Sequence, residues 1–211
     1  MLNHLSKEEQ ANTWTHLVAM LATLAVAYPL IRAASIHHTP YTIHLAGTIL
    51  FLLSMFFMYL SSTLYHAVAQ PDHKRRLRVM DHIAIYVMIA GSYTPICLSV
   101  LGGWIGWSLF GFLWACVLAG IIGKLLALGK HPRLSLALYL AMGWAALLVI
   151  VPLWHHLSHA AFAWILAEGI AYSIGAYFFH HDEEVPFYHA IWHVFIILGS
   201  TCHTIALFLY F

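Results

Sequence analysis

Apolar positions fall in seven long blocks, at 14–31, 43–65, 80–100, 104–128, 134–154, 160–179 and 187–211. None shows the strict alternation of a half-buried strand, and each is near the roughly 20 residues that cross about 30 Å of hydrocarbon. The tightest turns between them are marked by Gly102-Gly103, Pro132, the stretch 154–158 and Asp182-Glu183-Glu184. The pattern predicts an all-α integral membrane protein, a seven-transmembrane-helix bundle forming one domain over 1–211. A short polar N-terminal segment, 1–13, precedes the first span. There Glu8 and Glu9 offset Lys7, unlike the positive start of a signal peptide, so the first block is read as a span although Ala25-Val26-Ala27 resembles a cleavage site. The blocks show no internal repeat of the kind that marks inverted-repeat transporters.

Composition agrees: 62% of residues are apolar and 8% charged, with a mean hydropathy of +0.81. A soluble domain carries about 25% charged residues, so an ordinary water-exposed surface is excluded. Nine Lys and Arg, with a net charge of +1, are too few and too scattered for a phosphate-binding face, which excludes a nucleic-acid partner. Their placement orients the chain. With the N-terminus in the cytoplasm and the C-terminus outside, Lys7, Lys74, Arg75, Arg76, Arg78, Lys124, Lys130 and Arg133 lie at the inner side, and Arg32 alone lies outside. Cys97, Cys116 and Cys202 sit in apolar blocks without metal-binding spacing and read as small packing residues.

Seventeen histidines in so apolar a chain are the unusual feature. Ionisable groups in spans cost perhaps 2.5–3.5 kcal/mol each on insertion scales and are functional candidates by default. Those in or at the ends of spans are His16, His66, Asp81, His82, Glu168, His189, His193 and His203. Parity brings some together: the second span ends, and the third and seventh begin, on the same side. Ser62, His66, Asp81, His189 and His193 therefore share one depth. His189 and His193 are four apart, on one helix face, as two ligands of one ion must be; Ser62 and His66 have the same spacing. Three imidazoles with an open position describe a catalytic zinc site, beside which a carboxylate can orient or deprotonate water. Interhelical hydrogen bonding by neutral histidines explains the same residues. A second HxxxH at His155 and His159, and the missing Glu of HExxH, show how little the motif carries alone.

Three ordered motifs carry a resemblance. Glu9, Asn12 and His16 form an acidic-Asn-His element. Ser62-Thr-Leu-Tyr-His66, Asp81-His-Ile-Ala-Ile-Tyr and Gly91-Ser-Tyr-Thr-Pro95 form a second, and Tyr188-His189-Ala-Ile-Trp-His193 with Gly199-Ser-Thr-Cys-His203 a third. Over nearly its whole length the chain resembles the hemolysin III branch of the progestin and adiponectin receptor family. The resemblance implies Zn2+ held by His66, His189 and His193, with Ser62 and Asp81 at the bound water. Through the family's likeness to alkaline ceramidases it also implies hydrolysis of a lipid amide in a bacterial inner membrane. On that reading Asp81 accepts the water's proton and Ser62 stabilises the oxyanion or positions the water. The rival is a non-enzymatic sensor or homeostasis factor for membrane lipids with structural zinc. A cytolytic pore is disfavoured by the stably inserted bundle.

Other residues are read more plainly. His203 is a bundle-facing or cavity-lining group, grouped with Glu9, Asn12 and His16 as a candidate outer partner of the metal site and not as a ligand, since ten residues, roughly 15 Å of helix, part it from His193. Glu9, Asn12 and His16 close the site from the inner side, and helix capping is an alternative for Asn12. Glu168 either pairs with a buried polar group or departs from the family pattern. Asp182, Glu183 and Glu184 read as a solvated turn, and His37, His38, His155, His156 and His159 as solvated loop residues at the outer face, with adventitious metal binding as the alternative. Trp104, Trp107, Trp144, Trp154 and Tyr41 read as interfacial anchors.

Overall fold

The computed structural model describes residues 5–36, 41–127 and 132–210; His37, His38 and Lys130 lie outside them. Seven helices are long and apolar enough to cross a membrane, and no strand occurs among the described residues. They are α1 (Lys7–Ile36), α2 (Tyr41–Ala67), α3 (Pro71–Pro95, continued by a π-helical turn, Ile96–Leu101), α4 (Gly103–Ala127), α5, α6 (His159–His180) and α7 (Tyr188–Tyr210). Helix α5 has three parts: α-helical Pro132–Gly143, 3-10 helical Trp144–Val149 and α-helical Ile150–His156.

Helices α1 and α3 begin seven and nine residues before their apolar blocks, because local signals extend them through polar sequence. At α1, Ser6 Oγ accepts from Glu9 N (3.1 Å) and Ser6 O from Gln10 N (3.0 Å), so Ser6 caps the helix. Asn12 lies well inside α1, which removes the capping alternative for it. At α3, Gln70 Oε1 accepts from His73 N at 2.6 Å, and Pro71 stands in the first turn, where its missing N–H costs nothing. Lys74, one turn on, donates to Tyr65 O and Val68 O (3.3 Å each), which meets free carbonyls at the end of α2.

Helix α1 packs on α2 and α7, α2 on α3, α3 on α4, and α6 on α7; α5 makes sparser contacts with α3 and α6. Close approach rests on glycines. A Cβ at Gly91 would overlap the Ser54 side chain of α2, and one at Gly199 would overlap the Tyr172 ring of α6. Two apolar clusters result. One joins α3, α4 and α5 around Tyr86, Leu113, Tyr139 and Leu153; the other joins α1, α2 and α7 around Leu30, Phe51, Tyr59 and Leu207.

The break in α5 is absent from the hydrophobic pattern. It is met from α3: the Tyr93 hydroxyl donates to Gly143 O (2.5 Å) and accepts from Ala146 N (2.8 Å). The outer tryptophans divide. Trp104, Trp107 and Trp154 are exposed, as anchors are. Trp144, expected to be one, lies in the break of α5 and donates through Nε1 to Ser173 Oγ of α6 at 3.0 Å. It is a packing residue. The three cysteines are free.

The ends of α2 and α6 and the beginnings of α1, α3 and α7 share one end of the bundle, which also carries the basic turn 74–78. From the Lys and Arg distribution that end is expected to face the cytoplasm. A reporter enzyme fused after Phe211 is then expected to be active outside, and one inserted within 70–78 only in the cytoplasm. A cytoplasmic reading for both fusions would overturn this orientation.

Candidate metal centre

His66 stands in the last turn of α2, and His189 and His193 in the first two turns of α7. One ring nitrogen from each lies within 4.8 Å of the other two, and no fourth His, Cys, Asp or Glu joins the group among the described residues. His66 and His193 are buried; the His189 side chain is 23% exposed.

The other nitrogen of each ring is engaged. His66 Nδ1 meets Glu9 Oε2 at 2.7 Å, His189 Nδ1 meets Asp182 Oδ2 at 2.5 Å, and His193 Nδ1 meets Thr15 Oγ1 at 3.0 Å. Glu9 and Asp182 offer acceptors. The Thr15 hydroxyl gives its one hydrogen to the Ala11 or Asn12 carbonyl (3.0 and 2.9 Å), so it too accepts from the ring. All three Nδ1 atoms are therefore donors, and Nε2 of each neutral ring keeps a lone pair for an ion. His66 Nε2 is buried with no hydrogen-bond partner, a costly arrangement that a metal relieves. The set fits zinc, which favours imidazole nitrogen, and its outer partners are of the kind that fix ligating histidines.

Around the triad, Glu9 bridges His66 and Lys74, its Oε1 lying 2.8 Å from Lys74 Nζ. His16 stacks flat on His193, with ring centres 3.6 Å apart and planes 13° apart. Asn12 is buried nearby, its Oδ1 unpartnered. His203 does not reach the triad: its Nδ1 pairs with Glu168 Oε2 at 2.8 Å, so the grouping of His203 with the outer residues of the metal site is corrected. The same pair gives Glu168 its buried polar partner. Asp182 corrects the reading of a merely solvated turn. Thr15 escapes sequence reasoning, since a span threonine ordinarily bonds its own backbone.

Asp81 and Ser62 line a common cavity with His16, His189 and His193. Ser62 Oγ lies beside the Asp81 carboxyl but closes no hydrogen bond of good geometry. The cavity runs on between α3, α5, α6 and α7 to Glu168 and His203. Its apolar walls include Leu147 and Ile150 of α5 and Leu166 of α6, all exposed on the outside of the bundle. A second, more polar vestibule at the basic end is lined by Glu9, Asn12, His66, Arg78, Asp182 and His189, among others. The triad stands where the two meet.

Residues 4–204 match the family model described as Haemolysin-III related. The chain belongs to this family. It is 40% identical to Hemolysin-3 of Bacillus cereus over 194 residues, covering 92% of this chain and 87% of that one. The Hemolysin-3 homolog of Bacillus subtilis (strain 168) is 39% identical, with 92% and 90% covered. The human monocyte to macrophage differentiation factor is 27% identical over 212 residues, with 96% and 84% covered. Membership and the seven apolar helices make the chain a multi-pass membrane protein.

Purified protein is expected to carry about one zinc per chain, and His66→Ala, His189→Ala or His193→Ala each to lose it, because two ligands do not make a high-affinity site. Full retention in all three by elemental analysis would refute the centre. Glu9→Gln and Asp182→Asn are expected to fold and to bind zinc roughly 10–100-fold more weakly in competition with a chelator. Affinities equal to wild type would show that these carboxylates do not orient their rings.

Proposed function

We propose that this haemolysin III family member is a zinc-dependent hydrolase of a bacterial plasma membrane, acting on an amide or related bond of a membrane lipid. The observation that carries the reading is the position of the histidine triad, between a polar vestibule and an apolar cavity whose walls reach the outside of the bundle. Lipid hydrolysis needs water from one side and an acyl chain from the other. The three-histidine group supports an open fourth position rather than a closed structural site.

Zinc, when bound, supplies Lewis acidity and brings the pKa of a coordinated water to about 7. The protein's own groups divide the remaining work. Asp81 accepts the proton as the water oxygen bonds to the acyl carbon, and returns it to the departing amine as the C–N bond breaks. The Ser62 hydroxyl, which closes no hydrogen bond of good geometry, donates to the oxygen on which negative charge develops. His16, flat against His193, holds that ring in plane. Water enters through the vestibule past Glu9 and Asn12.

Asp81→Asn keeps the shape and hydrogen-bonding capacity of the side chain but removes proton acceptance. Turnover, read by comparing membrane lipid extracts incubated with wild type and variant, is expected to fall about 10²–10⁴-fold while zinc content stays the same. A zinc-loaded Asp81→Asn protein that hydrolyses lipid at the wild-type rate would sink the assignment of the base. If neither protein releases any product from such extracts, the lipid-sensor reading with structural zinc replaces the hydrolase.

A further inference from the structure

The part of the cavity remote from the triad holds polar groups that hydrolysis at the triad does not use. Glu168 and Tyr172 stand one turn apart on α6, and His203 faces them from α7. His203 Nδ1 meets Glu168 Oε2 at 2.8 Å with both side chains buried. The other ends of this cluster are unmet: His203 Nε2 and the Tyr172 hydroxyl are both buried without a hydrogen-bond partner. Neighbouring hydroxyls of the same cavity are spent on the fold, as Ser92 Oγ donates to Ile89 O (2.9 Å) and Ser173 Oγ to Gly169 O (2.7 Å). An ionisable pair at mid-helix depth marks a functional site by default, and two unmet buried polar atoms beside it are costly to keep without a partner.

The chemistry of the two atoms selects their partner. With the Nδ1 hydrogen given to Glu168, Nε2 is an acceptor, whereas the phenol is free to donate. One alcohol oxygen satisfies both, donating to His203 and accepting from Tyr172. The rest of the cavity is predominantly apolar, as an alkyl chain requires. We propose that the Glu168–Tyr172–His203 cluster is a binding subsite for a hydroxyl group carried within the acyl chain of a lipid whose polar head lies at the histidine triad. Ten residues of α7 separate His193 from His203, about 15 Å. An extended chain advances about 1.2 Å per bond, a third of the residue repeat of extended polypeptide. The hydroxyl thus falls near the twelfth carbon from the head. This rests on the part of the proposed function that places a lipid in the cavity, and not on turnover.

Binding of stearic acid and 12-hydroxystearic acid to the zinc-loaded full chain, read by displacement of a fluorescent fatty acid, tests it. Wild type is expected to bind the hydroxy acid roughly tenfold more tightly, as for a hydrogen-bonded pair. Tyr172→Phe, which removes one oxygen, is expected to lose most of that preference and to bind stearic acid as wild type does. The double variant Glu168→Leu/His203→Phe, which leaves no unpaired charge, is expected to abolish the preference. Equal affinity of wild type for the two acids would overturn this subsite and leave the lipid reading intact. Failure to bind either acid would overturn both. Should the double variant not fold, an undiminished preference in Tyr172→Phe overturns the assignment by itself.

Discussion

Three imidazole rings bring one nitrogen each within 4.8 Å of the other two inside a membrane protein, and the contacts that hold those rings organise much of the basic end. A neutral imidazole has two tautomers and rotates freely about its bonds. Only an acceptor on Nδ1 fixes both the proton and the ring plane. The three acceptors come from two places: Glu9 and Thr15 from α1, and Asp182 from the turn before α7. Two of the three rings therefore take their partner from the N-terminal helix, although that helix supplies none of the three proposed ligands. Docking is secured by Lys74, which ties Glu9 to the end of α2, and by Glu8, whose carboxylate accepts from Phe187 N at the start of α7. Phe187 holds a positive φ of 64° there, a conformation uncommon for a side chain of that bulk.

The position of this centre matters as much as its ligands. In water, such a triad is one of many metal sites; at a polar–apolar boundary it joins two solvents. The vestibule side is built from charged residues of α1, α3 and the turn before α7. The cavity side is built from Leu, Ile, Phe and Trp of α5, α6 and α7. Asp81 and Ser62 stand just on the apolar side, where a carboxylate is poorly hydrated and its hydrogen bonds count for more.

The seven spans and the shared depth of Ser62, His66, Asp81, His189 and His193 are legible in the sequence because hydrophobic blocks and parity need no side-chain detail. The early starts of α1 and α3 are not, since a helix leaving hydrocarbon looks like polar loop; Ser6 with Glu9 three residues on is the available signal of a helix start. Asp182 is hidden in an acidic run whose composition reads as solvated. Its one distinguishing mark is its place seven residues before His189, close enough for a turn to bring carboxylate and ring together. Thr15 carries no signal at all. Trp144 is misread from sequence because tryptophan preference for interfaces is a statistic, whereas the Ser173 hydroxyl is a specific partner. The three-part character of α5 leaves no trace in its own apolar sequence.

That last feature reverses the usual direction of encoding. In hydrocarbon an unmet carbonyl or amide costs several kcal/mol, so segment 133–156 alone in a bilayer would close into an unbroken α-helix. The interruption at Gly143 and Ala146 exists because a phenol on α3 answers both groups. The contour of one cavity wall is thus a property acquired on assembly, written in Tyr93 and imposed on a neighbour. A change in the shape of that wall has two addresses: the side chains of α5 itself, and one hydroxyl on another helix that decides how α5 runs.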